Sequence, residues 1–147
     1  MAKNRLQYLT ANDWVLINAK AKRLTFHLGD EIIRKGARGD VVYVIRSGHA
    51  SVELTGTGLS RTVVAQLEPE DICGDMAFLE NSTATATVIA KEDAVDVDAI
   101  QATDLQELFD VFSGLASRFY HSLAVLLVRR LRNTTQQLAW GTNLRKV

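Results

Sequence analysis

The sequence predicts a mainly β domain with flanking α-helices, its strands packed as a sandwich or barrel-like roll and a long helix at the C-terminal end. Two textures carry that expectation. From about Leu24 to Ile100, short β-branched runs alternate with turn residues: Leu24–Leu28, Glu31–Arg34, Val41–Arg46, Ala50–Leu54, Thr62–Leu67, Thr85–Ala90 and Ala94–Ile100. Seven of the nine glycines fall between Gly29 and Gly74, at the breaks between those runs. After Thr103 the period lengthens to that of an amphipathic helix.

The elements follow in order. Thr10 and Asp13 are spaced as a capping box ahead of Trp14-Val15-Leu16-Ile17, which predicts a short helix inside an N-terminal segment, 1–23. The roll is expected over 24–100. Its last strand alternates nearly strictly, Val95 and Val97 against Asp96 and Asp98, so it is expected to be half exposed. Thr103 and Gln106 suggest a second capping box and a hinge helix, Asp104–Phe109, opening a helical segment over 101–147. A longer helix is expected from Ser113 to Trp140, stopped by Gly141. It would be roughly 40 Å long, more than a small β domain needs for its own cover. Leu115, Phe119, Leu123, Leu126, Leu127, Leu131 and Leu138 form its stripe, widened by Tyr120, Ala124 and Val128. Between 123 and 128 it is apolar all round, which predicts cover on two sides: the roll on one, a second copy of this helix on the other.

Composition bounds the function. A chain of 147 residues is the size of one domain with a real core. Lys+Arg and Asp+Glu stand at 17 each, so no net field draws the chain to nucleic acid or an anionic membrane. Cys73 is the only cysteine, which excludes an intrachain disulfide or a C-x-x-C redox pair. Met1-Ala2-Lys3-Asn4-Arg5 has no apolar signal stretch, and the apolar run Leu123–Val128 is too short to span a bilayer; a cytoplasmic protein is the expectation.

Phe26-His-Leu-Gly29-Asp30-Glu-Ile-Ile33, then Gly36, Gly39-Asp40 and Val42-Tyr43-Val44-Ile45-Arg-Ser-Gly48, then Gly74-Asp75-Met76-Ala77-Phe78-Leu79 and Thr85-Ala86-Thr87-Val88 follow one another in a family's order. On these the chain resembles the cyclic nucleotide-binding domain, the family of the catabolite activator protein and the regulatory subunit of protein kinase A. The resemblance implies a jelly-roll β-roll, no enzymatic activity, and a site built from Gly74, Asp75, Met76, Ala77, Ala84, Thr85 and Thr87. In the family a carboxylate after the glycine accepts the ribose hydroxyl; Asp75 stands there, one methylene shorter than the usual glutamate. The family's phosphate-binding arginine falls on Ala84.

That departure shapes the expected function. A guanidinium–phosphate pair is charge-assisted and often bidentate, and truncating one partner typically costs roughly 2–5 kcal/mol, about thirty-fold to a few thousand-fold in affinity. Binding of cyclic AMP and cyclic GMP should therefore be weak, altered or lost, unless a substitute cation such as Arg61, Arg46 or Lys91 compensates; Thr85 still offers a hydroxyl and a backbone N–H to an oxyanion. The alternative is a degenerate roll kept as a structural or dimerisation module. His27, His49 and His121 include no His-x-His pair of the kind cupin metalloenzymes use, so no metal is expected. Cys73 reads as a small core residue. Arg129-Arg130-Leu131-Arg132 reads as the solvated face of the long helix, and no helix-turn-helix is expected within the Thr142–Val147 that follow it.

Overall fold

The computed structural model of the protein describes residues 5–55 and 60–146, with side chains as far as residue 138. Gly56 and Gly58, two of the expected turn glycines, lie outside the described residues. The elements are α1 (Ala11–Lys20), β1 (Lys22–Phe26), β2 (Glu31–Ile33), β3 (Val41–Ser47), β4 (Ala50–Thr55), β5 (Arg61–Leu67), β6 (Ile72–Cys73), α2 (Asp75–Glu80), β7 (Thr87–Ala90), β8 (Val95–Gln101), α3 (Ala102–Val111) and α4 (Ser113–Lys146).

The strands form two four-stranded antiparallel sheets, ordered β1-β8-β3-β6 and β2-β7-β4-β5, which face each other as a jelly-roll β-roll. Between them lie Ile32, Ile45, Ala50, Leu67, Cys73, Val88, Ala90, Val95 and Val97. Strand alternation then builds a second core on the outer face of the first sheet. Tyr43 and Ile45 of β3 point into the roll, while Val42 and Val44 point out and meet Ile100, Ile72, Phe78 and the helices. Helix α4 supplies Leu115, Phe119, Leu123 and Leu126 to that core, each no more than 2% exposed.

Four details differ from the expectation. Strand β6 pairs Ile72 and Cys73 with Val44 and Tyr43, but two residues carry no readable period. Strand β7 begins at Thr87 rather than Thr85, because the chain just before it, through Ala84, pairs with the turn after β2. Helix α3 begins at Ala102 with Gln101 as N-cap and no side-chain cap, so Thr103 does not cap it. The reason is tertiary: β8 runs through Gln101 against Val41, and the Ala102 N–H donates to the Asp40 carbonyl at 2.8 Å. Helix α4 continues through Gly141 to Lys146; one interior glycine costs only about 1 kcal/mol relative to alanine.

Nor is β8 half exposed. Asp98 is buried beneath two guanidiniums, Arg23 Nε at 2.7 Å and Arg46 Nε at 2.6 Å. Burial pushes its pKa up, but the hydrogen bonds from Arg23 and Arg46 outweigh it and leave the carboxyl below its ordinary value.

The capping box of α1 forms as read, with Asp13 N–H donating to Thr10 Oγ1 and Thr10 N–H to Asp13 Oδ2. Asp13 does a second job. It is 1% exposed and takes both ends of the Arg118 guanidinium from α4, at 2.6 and 2.8 Å. These bonds, above all Arg118's, lower its pKa from 3.8 to about 2. A depressed carboxyl contributes stability that is complete above its unfolded pKa and is lost as pH falls through the folded one. Urea denaturation should therefore show about 2 kcal/mol of stability from this group at pH 5 that fades between pH 4 and pH 2. In an Asp13→Asn variant that part of the acid sensitivity should be missing; an unchanged pH profile would contradict the pairing.

Candidate functional site

Strand β6 delivers the chain to Gly74, which takes φ +82° and caps α2. An added Cβ there would lie 2.8 Å from the Val41 carbonyl oxygen, so glycine serves both the left-handed conformation and the close approach to β3. Asp75 opens α2 and turns inward, 2% exposed. Its carboxylate accepts from Arg130 of α4, Nη1 at 2.9 Å and Nη2 at 3.4 Å. Arg130 lies seven residues past Leu123 and four past Leu126, hence on the buried face of the helix rather than the solvated one the arginine run suggested. Helical phase against the buried leucines was the signal that could have found it.

Beside this pair is a small cavity, about 100 Å³, lined by Ile33, Val41, Tyr43, Gly74, Ala77 and Ala84 together with the turn after β2. Gly74, Ala77 and Ala84 thus share one concavity. Asp75, Met76, Thr85 and Thr87 do not line it. Met76 is 45% exposed on the outer side of α2, and Thr85 is exposed. Thr87 is buried in β7, where its hydroxyl accepts from the Lys35 N–H at 3.2 Å. Helix α2 is positioned by Gly39, which sits so close that a Cβ would come within 2.4 Å of the Ala77 carbonyl carbon.

None of the three substitute cations named from the sequence lines the cavity. Arg46 spans Asp98 and Asn18 and lies 5.6 Å over the Trp14 ring. Lys91, at 2.8 Å, and Arg61, at 3.9 Å, both approach Glu53, a buried carboxylate that also accepts from Ser51. Hydrogen bonds from Lys91 and Ser51 hold the Glu53 pKa below its ordinary value. The arginines that do line the cavity are Arg34 and Arg38, which sequence reasoning passed over. Their signal lay in the turn itself, since Gly36 and Gly39 bracket a segment short enough to fold back on the cassette.

The other reactive side chains are placed elsewhere. Cys73 is buried, and burial pushes its thiol well above the ordinary range, which disfavours the thiolate. His27 Nδ1 is 3.0 Å from the Asp93 carbonyl, His49 meets Glu92, and His121 stacks on Tyr8 at 4.2 Å. Among the described residues no three His, Cys, Asp or Glu side chains gather as a metal set, and no helix is long and apolar enough to cross a membrane.

The site is thus a jelly-roll whose glycine-capped short helix turns a carboxylate inward onto the long C-terminal helix, beside a small cavity. Residues 23–111 match the cyclic nucleotide-binding domain, and the chain belongs to that family. It is 31% identical over 143 residues to Cyclic GMP-binding protein C of Dictyostelium discoideum, across 92% of this chain and 5% of that protein. It is 30% identical over 121 residues to the Cyclic AMP receptor protein of Thermus thermophilus, across 80% of this chain and 52% of that protein. The crystal structure of the Thermus thermophilus Catabolite Activator Protein superposes with a TM-score of 0.79 at 26% identity, covering 93% of this chain and 62% of that one. The chain thus spans about half the length of one curated relative and a small part of the other.

Proposed function

We propose that this domain is a cytoplasmic cyclic nucleotide-type sensor with weakened or altered affinity for cyclic AMP and cyclic GMP, and that its output is the position of α4. One observation carries the reading: the buried carboxylate of Asp75 is held by Arg130 of the long helix. A ribose hydroxyl arriving at Asp75 would compete with, or add to, that bond, so ligand and helix share one group. A ligand shifts α4 only by the difference in its affinity for the two helix positions, and a shared buried ion pair supplies such a difference.

Support for weak binding comes from Ala84, which brings a methyl group to the wall where the family has a guanidinium. The same observation favours the second reading, a roll retained as a dimerisation module without a nucleotide. Calorimetric titration with cyclic AMP and cyclic GMP separates the two. Affinity no tighter than about 100 μM, with α4 amides changing their hydrogen exchange on saturation, is the expected result. Micromolar binding would overturn the argument from Ala84, and no binding at millimolar ligand would favour the module.

The dimer is argued from the outer face of α4. With Leu123 and Leu126 turned to the roll, Ala124, Val128, Leu131 and Leu138 remain exposed, the last two at 67% each. Ala124, Leu131 and Leu138 fall seven residues apart, and Val128 and Thr135 interleave with them. Leucine at one seam position with β-branched residues at the other is the pattern of a parallel two-stranded coil. Light scattering at tens of micromolar should give a dimer, and Leu131→Glu a monomer; a monomeric wild type would end this part of the proposal.

A further inference from the structure

The turn after β2 and the tail of the cassette are joined edge to edge. The Gly36 N–H donates to the Ala84 carbonyl and the Ala84 N–H to the Ala37 carbonyl, each at 2.8 Å; the Gly39 N–H donates to the Ser82 carbonyl at 2.9 Å. Arg38 and Thr83 form an antiparallel bridge between them. Gly39 is also packed directly on the backbone of Ala77 in α2. The turn is therefore part of the site's wall, and the backbone that carries its side chains keeps its place relative to Ala84.

Arg34 and Arg38 stand at the two ends of this turn, and both line the cavity against Ala84. Among the described residues each has one carboxylate neighbour: Glu31 Oε1 is 3.0 Å from Arg34 Nε, and Asp40 Oδ1 is 4.0 Å from Arg38 Nε. The arginine side chains are 78% and 71% exposed, and pairs this exposed are held weakly, so either guanidinium can turn to a stronger acceptor. An oxyanion is such an acceptor, because the planar fork of arginine matches its geometry bidentately. Besides the Tyr43 ring, the wall near Ala84 is made of Ile33, Val41, Ala37 and Ala77, so these two guanidiniums are the cations that an anion in the cavity would meet. At about 100 Å³ the cavity suits the anionic end of a ligand rather than a whole nucleotide.

We propose that Arg34 and Arg38 form a relocated anion site, holding the phosphoryl group of a phosphate ester in the cavity against Ala84 in place of the missing cassette arginine. The proposal rests on reading the cassette as a ligand site, and its test keeps the two separate. Wild type and an Arg34→Gln/Arg38→Gln double variant would be titrated with inorganic phosphate, cyclic AMP and cyclic GMP, followed by amide chemical shifts of Ala37, Gly39 and Ala84. Both substituted residues are exposed, and circular dichroism should show the fold intact. At least a tenfold loss of affinity for phosphate and cyclic nucleotide alike in the double variant is expected. Ala84→Arg is expected to gain less than tenfold, because it would add a third guanidinium beside the other two.

Cyclic nucleotide binding that is unchanged in the double variant would overturn the relocated site and leave the sensor reading standing. Phosphate that binds through these arginines while neither cyclic nucleotide binds would support the anion site and overturn the sensor reading. No shift with any of the three probes would overturn both. Ala84→Arg gaining thirty-fold or more would also overturn the relocated site, since the cavity would then have lacked a cation.

Discussion

Replacing Phe119 by alanine should destabilise the protein by about 3–5 kcal/mol, the range for a fully buried aromatic whose cavity cannot collapse. Phe119 is 2% exposed and occupies the point where three helices meet. Its ring lies 5.0 Å from Phe109 of α3 and 6.0 Å from Phe78 of α2, edge-on to the latter. Because Phe78 belongs to the short helix that opens at Gly74, the loss should also reach the site. Denaturant unfolding would measure the stability change. Hydrogen exchange should rise in α2 as well as in α4, since the substitution removes one of the contacts that tie them, beside the Asp75–Arg130 pair. A loss below 1 kcal/mol would mean that the helical core is packed differently.

Gly74→Val should cost about 3 kcal/mol, by two mechanisms that add. A β-branched residue at φ +82° pays roughly 1–2 kcal/mol for the left-handed conformation. Its Cβ would also press on the Val41 carbonyl oxygen at 2.8 Å and on Ile33 Cδ1 at 3.3 Å, an overpacking typically worth 1–3 kcal/mol. Gly74→Ala should fall between the two, since it keeps the clash and reduces the strain. Thermal unfolding of the pair, with a drop of several degrees for alanine and more for valine, checks the assignment. Equal stability of all three proteins would show that α2 does not need its glycine cap.

These two positions illustrate how unevenly the sequence reports on the molecule. The roll was legible from its short β-branched runs broken at glycines; Val42–Ile45 is apolar throughout because β3 has a core on each face, whereas Val95 and Val97 alternate into the roll. The capping box at Thr10 and Asp13 was legible because both partners lie within four residues. Two-residue β6 was not, since its place is set by pairing with Tyr43 and Val44 across the sheet. The expected cap at Thr103 failed for a related reason, as a strand running into a helix needs no side-chain cap when a neighbouring carbonyl accepts the first N–H.

The candidate site divides the same way. Order along the chain put a glycine beside a carboxylate at Gly74-Asp75, and the resemblance implied that Ala84 stands where the family has an arginine. Which cations reach that place was decided only in three dimensions. Arg46, Arg61 and Lys91 are drawn to Asp98 and Glu53, because a buried carboxylate must be paired by whatever the fold brings near. Arg130 comes to Asp75 from fifty-five residues away because helical phase carries it there with Leu123 and Leu126. Arg34 and Arg38 come to Ala84 because backbone bonds close the turn onto the cassette, and such bonds leave no mark on side-chain pattern. Periodicity records which face of an element is dry; which charges meet depends on how elements far apart in the chain are stacked.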